Sequence, residues 1–157
     1  MNSNAFRFIA FFFVILLITI STVNIKNNID LKELNATNIK FYYNKQIEFE
    51  NERTYQNGVG LYITPTIETA NNLLLENNFD GIEFTTSSTL KEILQILNAN
   101  IVKTQKIMID NTEKTIIYAC TNKFNKFVTI ENKKVNIQIL LSSSGNKVGL
   151  PLLLGSY

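Results

Sequence analysis

No charge interrupts the eighteen residues from Phe8 to Ile25, FIAFFFVILLITISTVNI, which stand between Arg7 and Lys26. As a helix this run reaches about 27 Å at roughly 1.5 Å per residue, close to the ~30 Å hydrocarbon layer of a bilayer. A core helix of a globular domain needs one apolar stripe, not apolar residues on every side. The run therefore predicts a membrane segment, and it decides where the rest of the chain resides. Arg7 and the amino terminus would form a short positive region ahead of it, as in a signal peptide. However, the run exceeds the usual 7 to 15 apolar residues, and only Thr19 and Ser21 offer small side chains two apart. An uncleaved anchor spanning the membrane once is the favoured expectation, with a cleaved signal and a secreted body as the alternative. Both place residues beyond Lys26 outside the cytoplasm, since an inside amino terminus is the simpler route for a first hydrophobic segment.

The organisation expected is a signal anchor over 1–26, a linker over 27–38 with a weak apolar pattern in Ile29, Leu31 and Leu34, and one extracytoplasmic domain over 39–157. A body of this size suits a single hydrophobic core. Leaving Arg7 and Lys26 out of the 15 basic residues gives 13 against 13 acids, so the body is neutral. A neutral domain has no electrostatic reason to seek nucleic acid. Asn, Ile and Lys are abundant while Ala, Arg and Gly are scarce, a bias expected from AT-rich coding, so individual Asn and Lys residues carry little weight.

The chain has no histidine. The commonest general base, the commonest neutral metal ligand and every Ser-His or Cys-His nucleophile pair are thereby excluded. Cys120 is the only cysteine, so no disulfide forms within the chain, and its place in TIIYACT reads as core packing. Asp30, Asp80 and Asp110 fall in loops or linkers, and the glutamates fall mostly in polar segments, so spacing gives no paired-carboxylate site. No catalytic residue, metal site or cofactor is expected.

The local patterns describe an α+β body. Ile39 to Phe49 has strand composition, and Asn57-Gly58 marks a turn into Val59 to Thr64. Thr64-Pro65 reads as a cap and first helical residue ahead of the stripe Ile67, Ala70, Leu73 and Leu74, with Asn77-Asn78 as the stop. Ile82 to Thr86 is a short strand. Thr89 and Glu92 form a capping box opening a second helix with Leu90, Ile93, Leu94 and Leu97 on one face. Ile101 to Ile109 and Lys114 to Thr121 flank the hairpin signal Asp110-Asn111, and Lys126 to Glu131 and Lys134 to Ser142 flank Asn132-Lys133. Asn146 to Leu154 is the last strand, placed at a sheet edge because Pro151 cannot donate to a ladder. Together these predict a consecutive antiparallel meander, a curved sheet with both helices on one face.

Candidate binding residues are few. Lys123, Lys126, Lys133 and Lys134, with Phe124 and Phe127, form the most basic stretch. They suit lipid headgroups, a polyanionic wall polymer or nucleic acid, although four lysines are too few to decide and lysines at strand ends also keep sheet edges from pairing. Tyr42-Tyr43, Tyr55 and Tyr62 suit a ligand groove or ordinary strand packing. The hydroxyls of Thr85 to Thr89 read as a capped helix entry, and Ser142-Ser143-Ser144-Gly145 reads as a turn, since it lacks the lysine and flanking glycines of a phosphate loop.

Asn136, Gln138, Ile139, Leu141, Val148, Gly149, Pro151 and Tyr157 carry a resemblance. In Lys134 to Tyr157 the chain resembles the carboxyl end of the YwmB-like proteins of low-GC Gram-positive bacteria, which show N-x-Q-I-x-L, a Ser/Gly turn, V-G-x-P and a terminal tyrosine. The resemblance implies a membrane-targeting segment and a fold like that of the TATA-box-binding protein, a curved antiparallel sheet backed by helices. It implies no activity, and by association a part in sporulation or cell-envelope physiology. The chain is much shorter than that family ahead of Phe79. The reading that follows is a tethered domain acting by protein contact. A module binding a small ligand or wall fragment is the first alternative, and an exported hydrolase with a carboxylate pair the second.

Overall fold

The computed structural model describes residues 29–44, 54–56, 60–109 and 111–154. The Phe8 to Ile25 run lies outside them, and among the described residues no helix is long and apolar enough to cross a membrane. The molecule is an α+β fold of mostly sheet. Ten strands are β1 (Ala36–Tyr43), β2 (Thr54–Gln56), β3 (Leu61–Ile63), β4 (Gly81–Thr86), β5 (Ala99–Ile109), β6 (Thr112–Thr121), β7 (Val128–Ile130), β8 (Lys133–Val135), β9 (Ile137–Leu141) and β10 (Asn146–Leu150). Helix α1 (Ile67–Glu76) lies between β3 and β4, and α2 (Leu90–Ile96) between β4 and β5. Eight strands form one antiparallel, curved sheet in the order β2-β3-β1-β4-β10-β9-β6-β5, while β7 and β8 pair separately.

That order corrects two expectations. The sheet is not a consecutive meander, because β10 sits between β4 and β9. For the same reason the closing stretch is central rather than at an edge. Pro151 lies just beyond β10, so the missing donor falls outside the ladder; Lys147 to Gly149 keep partners on both sides and Leu150 still pairs with Ile82.

Alternation gives the sheet two faces. One buries Phe41, Ile63, Ile82, Phe84, Ile117, Ile139 and Val148 against Ala70 and Leu74 of α1 and Ile93 and Leu97 at α2, in a single core. Both helices therefore bury the stripes expected of them. The expected linker also belongs here, at least from Ile29 onward, as Leu31 and Leu34 are fully buried in the same core. Three apolar residues were enough because the turn they occupy is tied down. Asn71 Oδ1 accepts from the Leu31 N–H at 3.1 Å, and Leu34 O accepts from the hydroxyls of Thr86 and Ser88. The strand after it starts at Ala36, earlier than Ile39.

Local chemistry sets the remaining boundaries. The cap of α1 is Thr66, whose hydroxyl accepts from the Thr69 N–H, and Pro65 precedes the helix instead of opening it. At α2 the capping box is complete, with Thr89 and Glu92 each accepting from the other's backbone N–H. The predicted strand Lys134 to Ser142 is broken at Asn136. This buried side chain accepts from the Thr121 N–H at 2.8 Å and donates to the carbonyls of Thr121 and Phe124 at 2.8 and 2.7 Å, which fastens the β6–β7 connection to the start of β9. Seven non-glycine residues among those described have positive φ, and six are asparagines: 35, 38, 77, 98, 111 and 132. Asparagine tolerates the left-handed region better than most residues, so these side chains shape the turns and the β1 bulge despite their compositional abundance.

The other face carries a smaller cluster, Ile116 and Leu140 with Leu153, against which Tyr118, Ile107 and Ile109 pack. Leu153 reaches it because the chain turns back over Gly149, and Gln138 Oε1 accepts from the Leu153 N–H at 3.0 Å. A Cβ on Gly149 would lie 2.3 Å from backbone atoms of Leu152 and Leu153. Gly149→Ala is expected to destabilise the protein by about 2–3 kcal/mol, because backbone atoms have to move. The urea midpoint at unchanged m-value measures this.

Candidate functional site

The tyrosines gather at one end of the open face. Tyr42 on β1 pairs with Tyr62 on β3, which pairs with Tyr55 on β2. The Tyr42 and Tyr62 centroids are 5.6 Å apart, and the Tyr55 and Tyr62 rings stack at 5.4 Å and 23°. Lys40 Nζ stands 5.4 Å from the Tyr62 centroid. Tyr42 is only 2% exposed, so it is packing rather than ligand surface; Tyr55, at 42%, and Tyr62 provide the accessible rings. Tyr43 points to the opposite face, into the core.

The four lysines lie on two elements and meet different neighbours. Lys123 and Lys126 lie in the β6–β7 connection, while Lys133 and Lys134 lie on β8. Lys123 Nζ donates to the Ile96 carbonyl at 2.7 Å, where the exposed carbonyls at the end of α2 favour a cation. Lys126 Nζ sits 4.7 Å over the Phe79 ring, and burial pushes its pKa down against the opposing pull of Asp80. Lys134 covers Phe127 at 4.3 Å. Lys133 is exposed. Each of the first three thus has a structural task close at hand. Cys120 is half-buried on the open face of β6, away from the main core.

At least five of the nine described acids are likewise engaged locally. Asp30 accepts from Asn71 Nδ2 and the Lys32 N–H, Glu68 pairs with Lys32, Glu113 with Lys106 and Glu131 with Lys103. Backbone and side-chain hydrogen bonds from Thr89 hold Glu92 below the usual carboxylate range. Among the described residues no group of three or more Cys, Asp or Glu is placed to hold a metal ion.

Two features stand out that residue patterns did not reveal. The first is the outer side of β5. This strand runs for 11 residues at the end of the eight-stranded sheet, pairs among the described residues only with β6, and exposes Ile101 by 50% and Met108 by 67%. The opposite edge, β2, has three residues. The second is a cavity of about 380 Å³ on the open face, reached by Lys114 and Lys147 and by residues of the Ser142 to Gly145 turn. That turn was legible as a turn. Its neighbours come from β4, β6 and β10, so no single sequence window contains them.

No protein-family model matches the chain, and neither a curated protein nor a solved structure matches it.

Two outcomes follow from these placements. Lys123→Ala is expected to lower stability by about 1 kcal/mol through the lost hydrogen bond at the end of α2, while Lys133→Ala stays within about 0.5 kcal/mol, both read by thermal or urea unfolding. Tyr43 is raised from 10.0 to about 12 by burial first, then by the charges of Glu76 and Asp80. The unfolded chain loses this proton near pH 10 and the folded one only near 12, so the unfolded state binds fewer protons in between. Stability should be intact below pH 10 and fall as pH rises towards 12, and Tyr43→Phe should make that fall shallower.

Proposed function

We propose that this chain is a membrane-tethered, extracytoplasmic domain that works by protein contact rather than by chemistry, with the β5 edge as its docking surface. The observation that carries this reading is β5 itself. Native proteins usually blunt a long edge by shortening, covering or charging it, because its unpaired backbone groups template a further strand. Here 11 residues stand at the sheet's end with Ile101 and Met108 exposed, and from Lys103 to Ile109 the pairing with β6 is regular. An extended segment of a partner would add as a ninth strand, gaining main-chain hydrogen bonds, with alternate side chains meeting Met108 and its neighbours.

The tether in this proposal is Phe8 to Ile25, whose length and lack of charge suit a bilayer span, and release by cleavage is its alternative. The absence of histidine supports the non-enzymatic reading, as does the pairing of Glu68, Glu113 and Glu131 with lysines. The likeness of Lys134 to Tyr157 to the YwmB-like proteins extends the proposal to a TATA-box-binding-like fold and a part in envelope or sporulation physiology. A nucleic-acid role has no support from a charge-balanced body.

The test is site-directed photocrosslinking in intact membranes from Thr104, which is exposed on β5. A defined partner is expected, captured by the wild-type edge and lost when Ile101 and Met108 are both changed to Lys, with the folded state retained. Crosslinks that are absent, or that persist in the double variant, would count against the edge as the contact surface.

A further inference from the structure

We propose that the partner at the β5 edge is a second copy of this chain, paired antiparallel across a two-fold axis that runs normal to the sheet and passes between the two Ile107 residues. The inference rests on the edge being a docking surface and names what docks there.

The register of the β5–β6 hairpin decides which backbone groups the edge presents. Ile109 stands directly opposite Thr112 with a two-residue loop between them, so these two exchange hydrogen bonds. Because the pairing is regular back to Lys103, the odd-numbered residues direct their N–H and C=O groups to β6, while Thr104, Lys106 and Met108 turn theirs outwards. Across a two-fold axis normal to the sheet each face continues as the same face, so odd residues meet odd and even meet even. Within the regular stretch Lys103 to Ile109, axes at Gln105, Lys106 and Ile107 bring five or more residues into register. An axis at Lys106 would set the two Lys106 side chains directly opposite each other, which is destabilising. An axis at Gln105 would set Lys103 against Ile107 and leave Met108, which is 67% exposed, facing the irregular step between Ile101 and Lys103. The axis at Ile107 avoids both.

The contacts at this axis are self-complementary. Ile107 meets Ile107 of the second copy, and since Ile107 and Ile109 pack on the cluster of Ile116 and Leu140, the open-face clusters of the two copies join into one apolar band. On the helix face, Met108 lies against the aliphatic stem of Lys106 of the second copy, and these outward-facing residues exchange main-chain hydrogen bonds. Glu113 stands beside Met108 on β6 and pairs with Lys106 at 2.8 Å, so each Lys106 of the pair has carboxylates on both flanks and the lysines sit diagonally rather than face to face.

The tether suits the same axis. Ile29, the first described residue, belongs to the core beneath the helices. A two-fold axis normal to the sheet puts both helical faces on one side, so both copies reach towards one membrane, whereas copies meeting open face to open face would turn their tethers apart. The paired strands cover less than the roughly 1,200 Å² at which standard interfaces begin. Confinement to one membrane plane raises the effective concentration and makes good the difference.

The register is read by disulfide trapping. The full-length chain in intact membranes, carrying Cys120→Ser, would receive Gln105→Cys, Lys106→Cys or Ile107→Cys singly and be oxidised with copper phenanthroline. Ile107→Cys should give a product of twice the chain's mass, because opposed residues of a non-hydrogen-bonded pair have Cα atoms about 4.5 Å apart, within disulfide reach. Gln105→Cys and Lys106→Cys alone should each give about a tenth of that yield or less, since their symmetry mates lie beyond the roughly 7 Å limit. Membranes holding both Lys106→Cys and Met108→Cys chains, told apart by tags, should yield the mixed dimer, which tests the axis again if Ile107→Cys fails to fold. Leu75→Cys, exposed on α1, should stay monomeric. A maximum at Gln105 or Lys106, equal yields from Leu75, or no dimer from any folded edge variant would overturn the proposal. Photocrosslinking from Thr104 separates its failure from that of the docking edge: a product of twice the chain's mass supports the second copy, a defined product of another mass overturns the second copy and keeps the edge, and no product overturns both.

Discussion

The strand that comes last in the chain holds the sheet together. In the order β2-β3-β1-β4-β10-β9-β6-β5, everything before α2 lies to one side of β10 and everything after it to the other, and no strand of one group pairs with a strand of the other. β10 alone joins them, through Val148 opposite both Phe84 and Ile139. Its partners on β4 lie sixty or more residues earlier, so loop-closure entropy has to be met before the pairing returns anything. Once β10 is in, the two groups share one core, and the helices packed on it are supported from both sides. Gly149 is the residue that lets the chain then turn back across its own strand.

The same insertion explains where the cavity lies. Thr85 comes from β4, Lys147 from β10 and Leu140 from β9, three adjacent strands that meet only because β10 is wedged between the others. Lys114 enters from β6, one strand further on. A site assembled across this seam depends on the complete sheet. The β5 edge depends on it differently: β5 is outermost because β6 takes β9 on its other side, and β9 in turn takes β10.

Much of the fold was written locally. The capping box at Thr89, the stripes of both helices, the pairing of β5 with β6 and the α+β composition all rest on interactions close in sequence, and such signals survive in one dimension. What failed was non-local. Whether Pro151 marks an edge depends on whether it lies inside the ladder, and that is decided by the register of β10 against β4. Whether Leu31 and Leu34 form a linker or core depends on the hydroxyls of Thr86 and Ser88, more than fifty residues away. Whether Lys123 is a ligand group or a helix-end partner depends on where α2 stops. The asparagines misled for another reason. A bias attributed to coding masked their use at six left-handed positions, each of which a β-branched residue would strain.

The site candidates divide along the same line. The lysine-rich stretch from Lys123 to Lys134 was visible because its charges are consecutive in sequence, yet consecutive charges here answer to different neighbours: a helix carbonyl, the Phe79 ring and the Phe127 ring. Lys114 and Lys147 were unremarkable because thirty-two residues separate them, and the sheet brings them to one cavity wall. On β5 the situation is reversed. Lys103 and Lys106 are the charges that would ordinarily guard an edge, but each is held by a carboxylate, Glu131 and Glu113, so their repulsion towards an incoming strand is largely compensated. The register shift between Ile101 and Lys103 bends only the start of the strand. From Lys103 to Ile109 the edge remains regular, which makes this half the better template for a partner's backbone.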